Sequence, residues 1–133
     1  DTGLIIRTST IGHEITTKFG LLEWFLNSKK SSVKGYKNAF FNGVTTLSLA
    51  EFIFNEFSNI YEDNEIINLV SKKISKLEVL QLLKKSYNLE KIIKIALNPK
   101  IDRCLNQRTE GKIFKIKKTW KEQIEEMKKF EGI

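Results

Sequence analysis

A single cysteine, Cys104, excludes an intrachain disulfide and fits a reducing compartment. A single histidine, His13, stands some ninety residues from that cysteine, so no zinc-ligand spacing is present and no metal is expected. No apolar run reaches the ~18 residues that a membrane-spanning helix requires. The N-terminus shows no basic-then-apolar leader. The expectation is a cytoplasmic protein with no membrane partner. Neither Gly-x-Gly-x-x-Gly nor Gly-x-x-x-x-Gly-Lys occurs, which removes the usual phosphate-cradling turns, and no Gly-x-Ser-x-Gly elbow is present. Arginine is scarce, with only Arg7, Arg103 and Arg108.

What remains is ordinary for a globular chain. Hydrophobic residues make up 41% and charged residues 29% of 133 positions, enough for one domain that buries roughly two thirds of its unfolded surface. The net charge of +7 comes mostly from lysines spread along the chain among 16 acidic residues. Scattered lysine reads first as a solvated surface. A basic nucleic-acid-binding module is the alternative, but no platform of interleaved basic and aromatic residues is evident, so nucleic acid is not the expected partner. The chain begins Asp1-Thr2-Gly3 without an initiator methionine and is read as a segment of something longer.

Residues 3–8 carry the unbroken apolar run Leu4-Ile5-Ile6, the pattern of a strand covered on both faces. Residues 9–18 form a polar loop. A helix is expected over 19–30, with Leu21, Leu22, Trp24, Phe25 and Leu26 apolar and Lys29-Lys30 in its last turn. Residues 33–41 read as extended, with Gly35 and Asn42-Gly43 as breakers. A helix over about 46–57, capped by Thr45 or Thr46, places Leu47, Ala50, Phe54 and Phe57 on one face. A loop from Asn59 to Asn64 leads to a buried strand at 66–70. Ser75 and Glu78 form a capping box that opens a helix to about Tyr87, with Leu77, Leu80, Leu83 (or Leu82) and Tyr87 inward. Ile92 to Leu97 is a third strand-like run, ended by Asn98-Pro99. Residues 100–118 read as irregular and basic. Thr119 and Glu122 form a second capping box before a helix carrying Trp120, Ile124, Met127 and Phe130 inward. Trp24, Phe25, Phe54 and Trp120 are expected in the core.

This alternation predicts an α/β fold with some parallel pairing. Tyr87 and Lys91 match Tyr-x-x-x-Lys, a spacing that needs a continuous helix to bring both onto one face; at a helix end it is read as chance. The segment Arg7-Thr8-Ser9-Thr10-Ile11-Gly12-His13-Glu14 is more informative. It sets small hydroxyls and a glycine just past the C-terminal end of a strand, where open α/β sheets bind ligands.

These pieces resemble a known family. Ile6-Arg7-Thr8-Ser9-Thr10-Ile11-Gly12-His13-Glu14, followed by Gly20-Leu21-Leu22-Glu23-Trp24-Phe25-Leu26, is similar to the dTDP-4-dehydrorhamnose reductase-like branch of the extended short-chain dehydrogenases. So, in order, are Val33-Lys34-Gly35-Tyr36, Phe41-Asn42-Gly43-Val44-Thr45-Thr46 with Leu49-Ala50, Ile74-Ser75-Lys76, Ile101-Asp102-Arg103 with Leu105-Asn106, and the Trp120 helix. Thr45, Ser48 and the stretch 107–111 depart from the family pattern.

The resemblance implies that residues 1–133 are the C-terminal part of an extended Rossmann-type enzyme. It would comprise a few parallel strands with helices plus a small substrate-binding subdomain. The implied activity is the NADPH- or NADH-dependent reduction of a 4-keto nucleotide sugar in cell-surface polysaccharide biosynthesis. The N-terminal Rossmann half, with the glycine-rich turn and catalytic Tyr-x-x-x-Lys, is absent here. The chain alone is therefore expected to be inactive and not to hold the NADP or NAD cofactor. By the same resemblance Ser9, Thr10 and Gly12 line the cofactor side. His13, Glu14, Lys34, Lys37 and Arg103 face the nucleotide-sugar substrate, Arg103 as a bidentate phosphate ligand. A homodimer and a non-catalytic relative serving as a partner subunit stay open.

Overall fold

A computed structural model gives the structure and describes residues 3–60 and 65–132, with the side chains of 57–60 left aside. The central sheet is parallel. Strand β6 (Glu65–Val70) lies between β1 (Leu4–Arg7) and β10 (Lys112–Lys115), Leu4 opposite Glu65 and Lys112 opposite Ile67. A second parallel pair joins β2 (Thr10–Ile11) to β5 (Val44–Thr45). A third joins β3 (Ser32–Tyr36) to β8 (Ile92–Ala96). In the last sheet β4 (Ala39–Phe41) pairs antiparallel with β7 (Ile74–Ser75) and parallel with β9 (Ile101–Asp102). The helices are α1 (Leu21–Asn27), α2 (Thr46–Ile60), α3 (Lys76–Ser86) and α4 (Trp120–Phe130). The expected α/β class with parallel pairing is present.

Two apolar clusters hold these elements. In the larger, Leu22 and Phe25 of α1, Leu80 and Leu83 of α3, and Trp120, Ile124 and Met127 of α4 pack together. In the smaller, Phe52 of α2 covers Ile67 and Leu69 of β6 and meets Phe114 edge-on at 4.7 Å. Both capping boxes form. Ser75 Oγ accepts from Glu78 N and Thr119 Oγ1 from Glu122 N, each at 3.2 Å, while the glutamates accept in return from the cap amides. Thr45 caps α2, its hydroxyl oxygen accepting from Ser48 N at 3.2 Å.

Several expectations are corrected. Ile5 is 54% exposed, so β1 is not covered on both faces. Helix α1 ends at Asn27, and Lys29 and Lys30 follow it. The cation at its C-terminus is Lys91, whose amine donates to the carbonyl oxygens of Phe25 and Ser28. Gly35 does not break β3; it lies inside the strand, where a Cβ would meet Leu77 of α3 and Ile93 of β8. Helix α2 continues through Ile60, residues 61–64 lie outside the described residues, and so does the Phe57 side chain. Among its described side chains the buried ones are Ser48 and Phe52, four apart; Ala50 is exposed, and Phe54, two residues past Phe52 and about 200° round the helix, is 88% exposed. The stretch 100–118 contains β9 and β10, and β10 completes the central sheet. Phe130 lies 74% exposed in the last turn of α4, and Trp24 is 41% exposed. The run at 92–97 forms a strand only to Ala96, and Ile92 and Ile95 within it and Leu97 after it are exposed.

Candidate functional site

The bend after β1 is fixed from below. Ser9 O accepts from Val44 N at 2.9 Å, and β2 then runs beside β5, burying Ile11. A Cβ on Gly43 would sit 2.0 Å from Ser9 O, so only glycine permits this approach. Ser9 and Thr10 are thereby left at the rim of a cleft of ≈ 230 Å³. Arg103 reaches the same cleft from the far side. Its backbone N–H donates to Phe40 O at 3.0 Å, which continues the β4–β9 pairing by one residue. Phe40 and Tyr36 provide apolar wall between them.

A wider cleft of ≈ 630 Å³ adjoins it, and the two share Leu21, Tyr36 and Lys76. Strand alternation builds this second space. Val33 and Gly35 are buried and alternate along β3 with the less buried Ser32, Lys34 and Tyr36, and these three line the cleft together with Val33 and Leu80. Lys94 of β8 stands in register with Lys34. Lys30, Trp24 and Phe19 close the opposite side. No carboxylate lines either cleft among the described residues, and Lys30, Lys34, Lys76, Lys94 and Arg103 have no ion-pair partner there. Asp102, the immediate neighbour of Arg103, is taken by Lys73 instead. That ammonium and the Cys104 hydrogen bonds hold its carboxyl well below the usual range. Burial, then the adjacent Asp102, pushes the Cys104 thiol up to about 11, the opposite of a reactive thiolate.

The structure thus brings Ser9, Thr10 and Arg103 into one cleft and Lys34 into its neighbour. The other residues singled out from sequence lie elsewhere. Gly12 packs under Thr46, whose side chain occupies the space a Cβ would need. His13 turns into the protein, with Nδ1 2.8 Å from Glu23 Oε1 and Nε2 2.8 Å from the Tyr87 hydroxyl. Glu14 accepts from the Thr17 hydroxyl and the amides of Phe19 and Gly20, satisfying the start of α1; the Thr17 bond foremost lowers its pKa. Lys37 lines neither cleft. Tyr87 is the C-cap of α3 and Lys91 lies past the helix, so the Tyr-x-x-x-Lys spacing does not share a helical face.

Sequence reasoning missed Lys76, Lys94, Tyr36 and Trp24 as lining residues. Tyr36 could have been found, because it shares the period-two face of Lys34. Lys94 could not, because its place beside Lys34 depends on a pairing between segments sixty residues apart. Among the described residues no three His, Cys, Asp or Glu groups gather to hold a metal, and no helix is long and apolar enough to cross a membrane.

No family model and no curated protein matches the sequence. Solved structures do. A dTDP-4-dehydrorhamnose reductase from Clostridium acetobutylicum superimposes with a TM-score of 0.72 at 14% identity, over 98% of this chain and 49% of that one. The dTDP-4-dehydrorhamnose reductase from Yersinia enterocolitica gives 0.61 at 14% identity, over 93% of this chain and 48% of that one. The likeness is one of fold: the chain has the architecture of a fragment of a Rossmann-like reductase. It spans about half the length of the dTDP-4-dehydrorhamnose reductases it resembles.

Proposed function

We infer that this chain is the substrate-binding part of an NAD(P)-dependent reductase of a nucleotide sugar, a 4-keto sugar by analogy with the two solved reductases. The observation that carries this reading is the shared cleft of Ser9, Thr10 and Arg103, which adjoins a lysine-lined space along Leu21, Tyr36 and Lys76. A diphosphate suits that junction. A guanidinium grips phosphate oxygens bidentately, while an ammonium adds a point charge. The hydroxyls of Ser9 and Thr10 offer both donors and acceptors to a polar ligand, and exposed Trp24 and half-buried Tyr36 offer apolar ring faces.

The described residues do not fit a whole dinucleotide. No glycine-rich turn is present, and Gly12 is filled by Thr46 rather than opened toward a phosphate. This chain's own contribution is therefore binding and orientation, and the cofactor belongs to a Rossmann half. Calorimetric titration of the 133-residue chain with dTDP-glucose tests the reading. Binding should occur, and Arg103→Ala should weaken it by about tenfold, ~1.4 kcal/mol. No heat at millimolar ligand overturns the reading, and an unchanged affinity in Arg103→Ala removes that residue from the site.

A further inference from the structure

A nucleoside diphosphate does not account for the charge of these clefts. Lys30, Lys34, Lys76, Lys94 and Arg103 line them without a carboxylate among the described residues. Lys73 pairs with Asp102, Lys112 with Glu65, and Lys118 with Glu51 and Glu126. At the wider cleft four lysines, Lys30, Lys34, Lys76 and Lys94, gather with no carboxylate among the described lining residues. Lys34 and Lys94 stand directly opposite each other on adjacent parallel strands, so their like charges repel and an anion between them would relieve that repulsion. A concave surface lined by one sign of charge also concentrates its potential on whatever enters. Arg103 and Lys76 line the narrower cleft, and Lys30, Lys34 and Lys94 line the wider one beyond it.

We propose that the ligand of these joined clefts carries an anionic group beyond the diphosphate, a phosphate or a carboxylate, seated in the wider cleft between Lys34 and Lys94. The proposal rests on the nucleotide-sugar reading above, and its test separates the two.

The 133-residue chain is titrated at low salt with two probe pairs, UDP-glucose against UDP-glucuronate and UDP against UTP. Each pair shares its base and diphosphate, so the affinity ratio within a pair reports the added charge alone. One ratio should favour the more anionic member by about tenfold or more, equivalent to ~1.4 kcal/mol. A gain in the first pair identifies a carboxylate ligand, and a gain in the second a phosphate. The Lys34→Gln, Lys94→Gln double variant, checked for folding by circular dichroism, should bring that ratio close to unity. Lys117→Gln, on the separate α2–β10 side, should preserve it. Preserving the ratio in the double variant, or losing it equally in Lys117→Gln, assigns the preference to overall charge and overturns the proposal. If both ratios are near unity while UDP-glucose binds and depends on Arg103, the extra anion is excluded and the nucleotide-sugar reading stands. If none of the four probes nor dTDP-glucose binds, both fall.

Discussion

His13 Nε2 lies 2.8 Å from the hydroxyl of Tyr87, 74 residues further along the chain. The other ring nitrogen faces Glu23, whose second carboxylate oxygen accepts from Asn27 Nδ2 at 2.8 Å. One imidazole thus ties the loop after β2 to α1 and to the end of α3. Lys128 of α4 completes the arrangement from above, its ammonium 5.6 Å from the centre of the Tyr87 ring.

Tyr87→Phe should lower stability by about 1 kcal/mol, because the half-buried imidazole loses a partner. Burial first, then the charges of Glu131, Glu23 and Glu125, pushes the Tyr87 hydroxyl up to about 12. The fold therefore favours the protonated phenol. Its contribution is whole below the ordinary value near 10 and is lost as pH rises toward 12. Urea midpoints of the wild type and Tyr87→Phe should differ by a fixed amount below pH 10 and converge above it. A difference that persists through pH 12 contradicts this account.

Gly43→Ala should destabilise by about 2–3 kcal/mol, the upper range for forced overpacking, because the new methyl would meet the Ser9 carbonyl. The same displacement moves Ser9 and Thr10 off the cleft rim. Weaker dTDP-glucose binding should accompany the lower melting temperature, and a variant as stable as the parent would show that the approach of residue 43 to Ser9 is not close.

Gln123 is fully buried on α4, and its Oε1 accepts the Thr45 amide at 3.0 Å. Gln123→Leu keeps the volume but leaves that amide without an acceptor at the start of α2. A loss of about 1–3 kcal/mol in urea denaturation is expected; a neutral result would mean that the amide finds another acceptor.

Ser75→Ala and Thr119→Ala each remove half of a capping box, at about 1 kcal/mol apiece. The two helices they open, α3 and α4, pack on each other, yet the caps share no partner. The double variant should therefore equal the sum of the singles within about 0.5 kcal/mol.

Local signals were legible where one segment determines its own conformation. Ser75-Glu78 and Thr119-Glu122 announced two helix starts correctly, because a capping box is complete within four residues. The sequence does not place Phe54 outside, because Leu47, Ala50 and Phe54 obey the helical period as well as Ser48 and Phe52 do; what decides between the faces is the β6 surface beneath Phe52. Strand β10 went unseen because Lys112-Ile113-Phe114-Lys115 resembles basic loop until β6 supplies its partner. At the site, the position of Ser9 and Thr10 beyond a strand end could be read directly. The destination of His13 could not, since it is set by Glu23 on α1 and Tyr87 at the end of α3, and Glu14 is drawn instead into its own loop by Thr17, Phe19 and Gly20.

The missing side chain of Gly35 has an effect on the opposite face of β3. With no methyl to hold it off, the strand settles against Leu77 and Ile93, and the floor on which Lys34 and Tyr36 stand sinks with it. Gly35→Ala would raise that floor relative to Lys76 and make the hollow shallower, so its depth is set in part by a residue that does not line it.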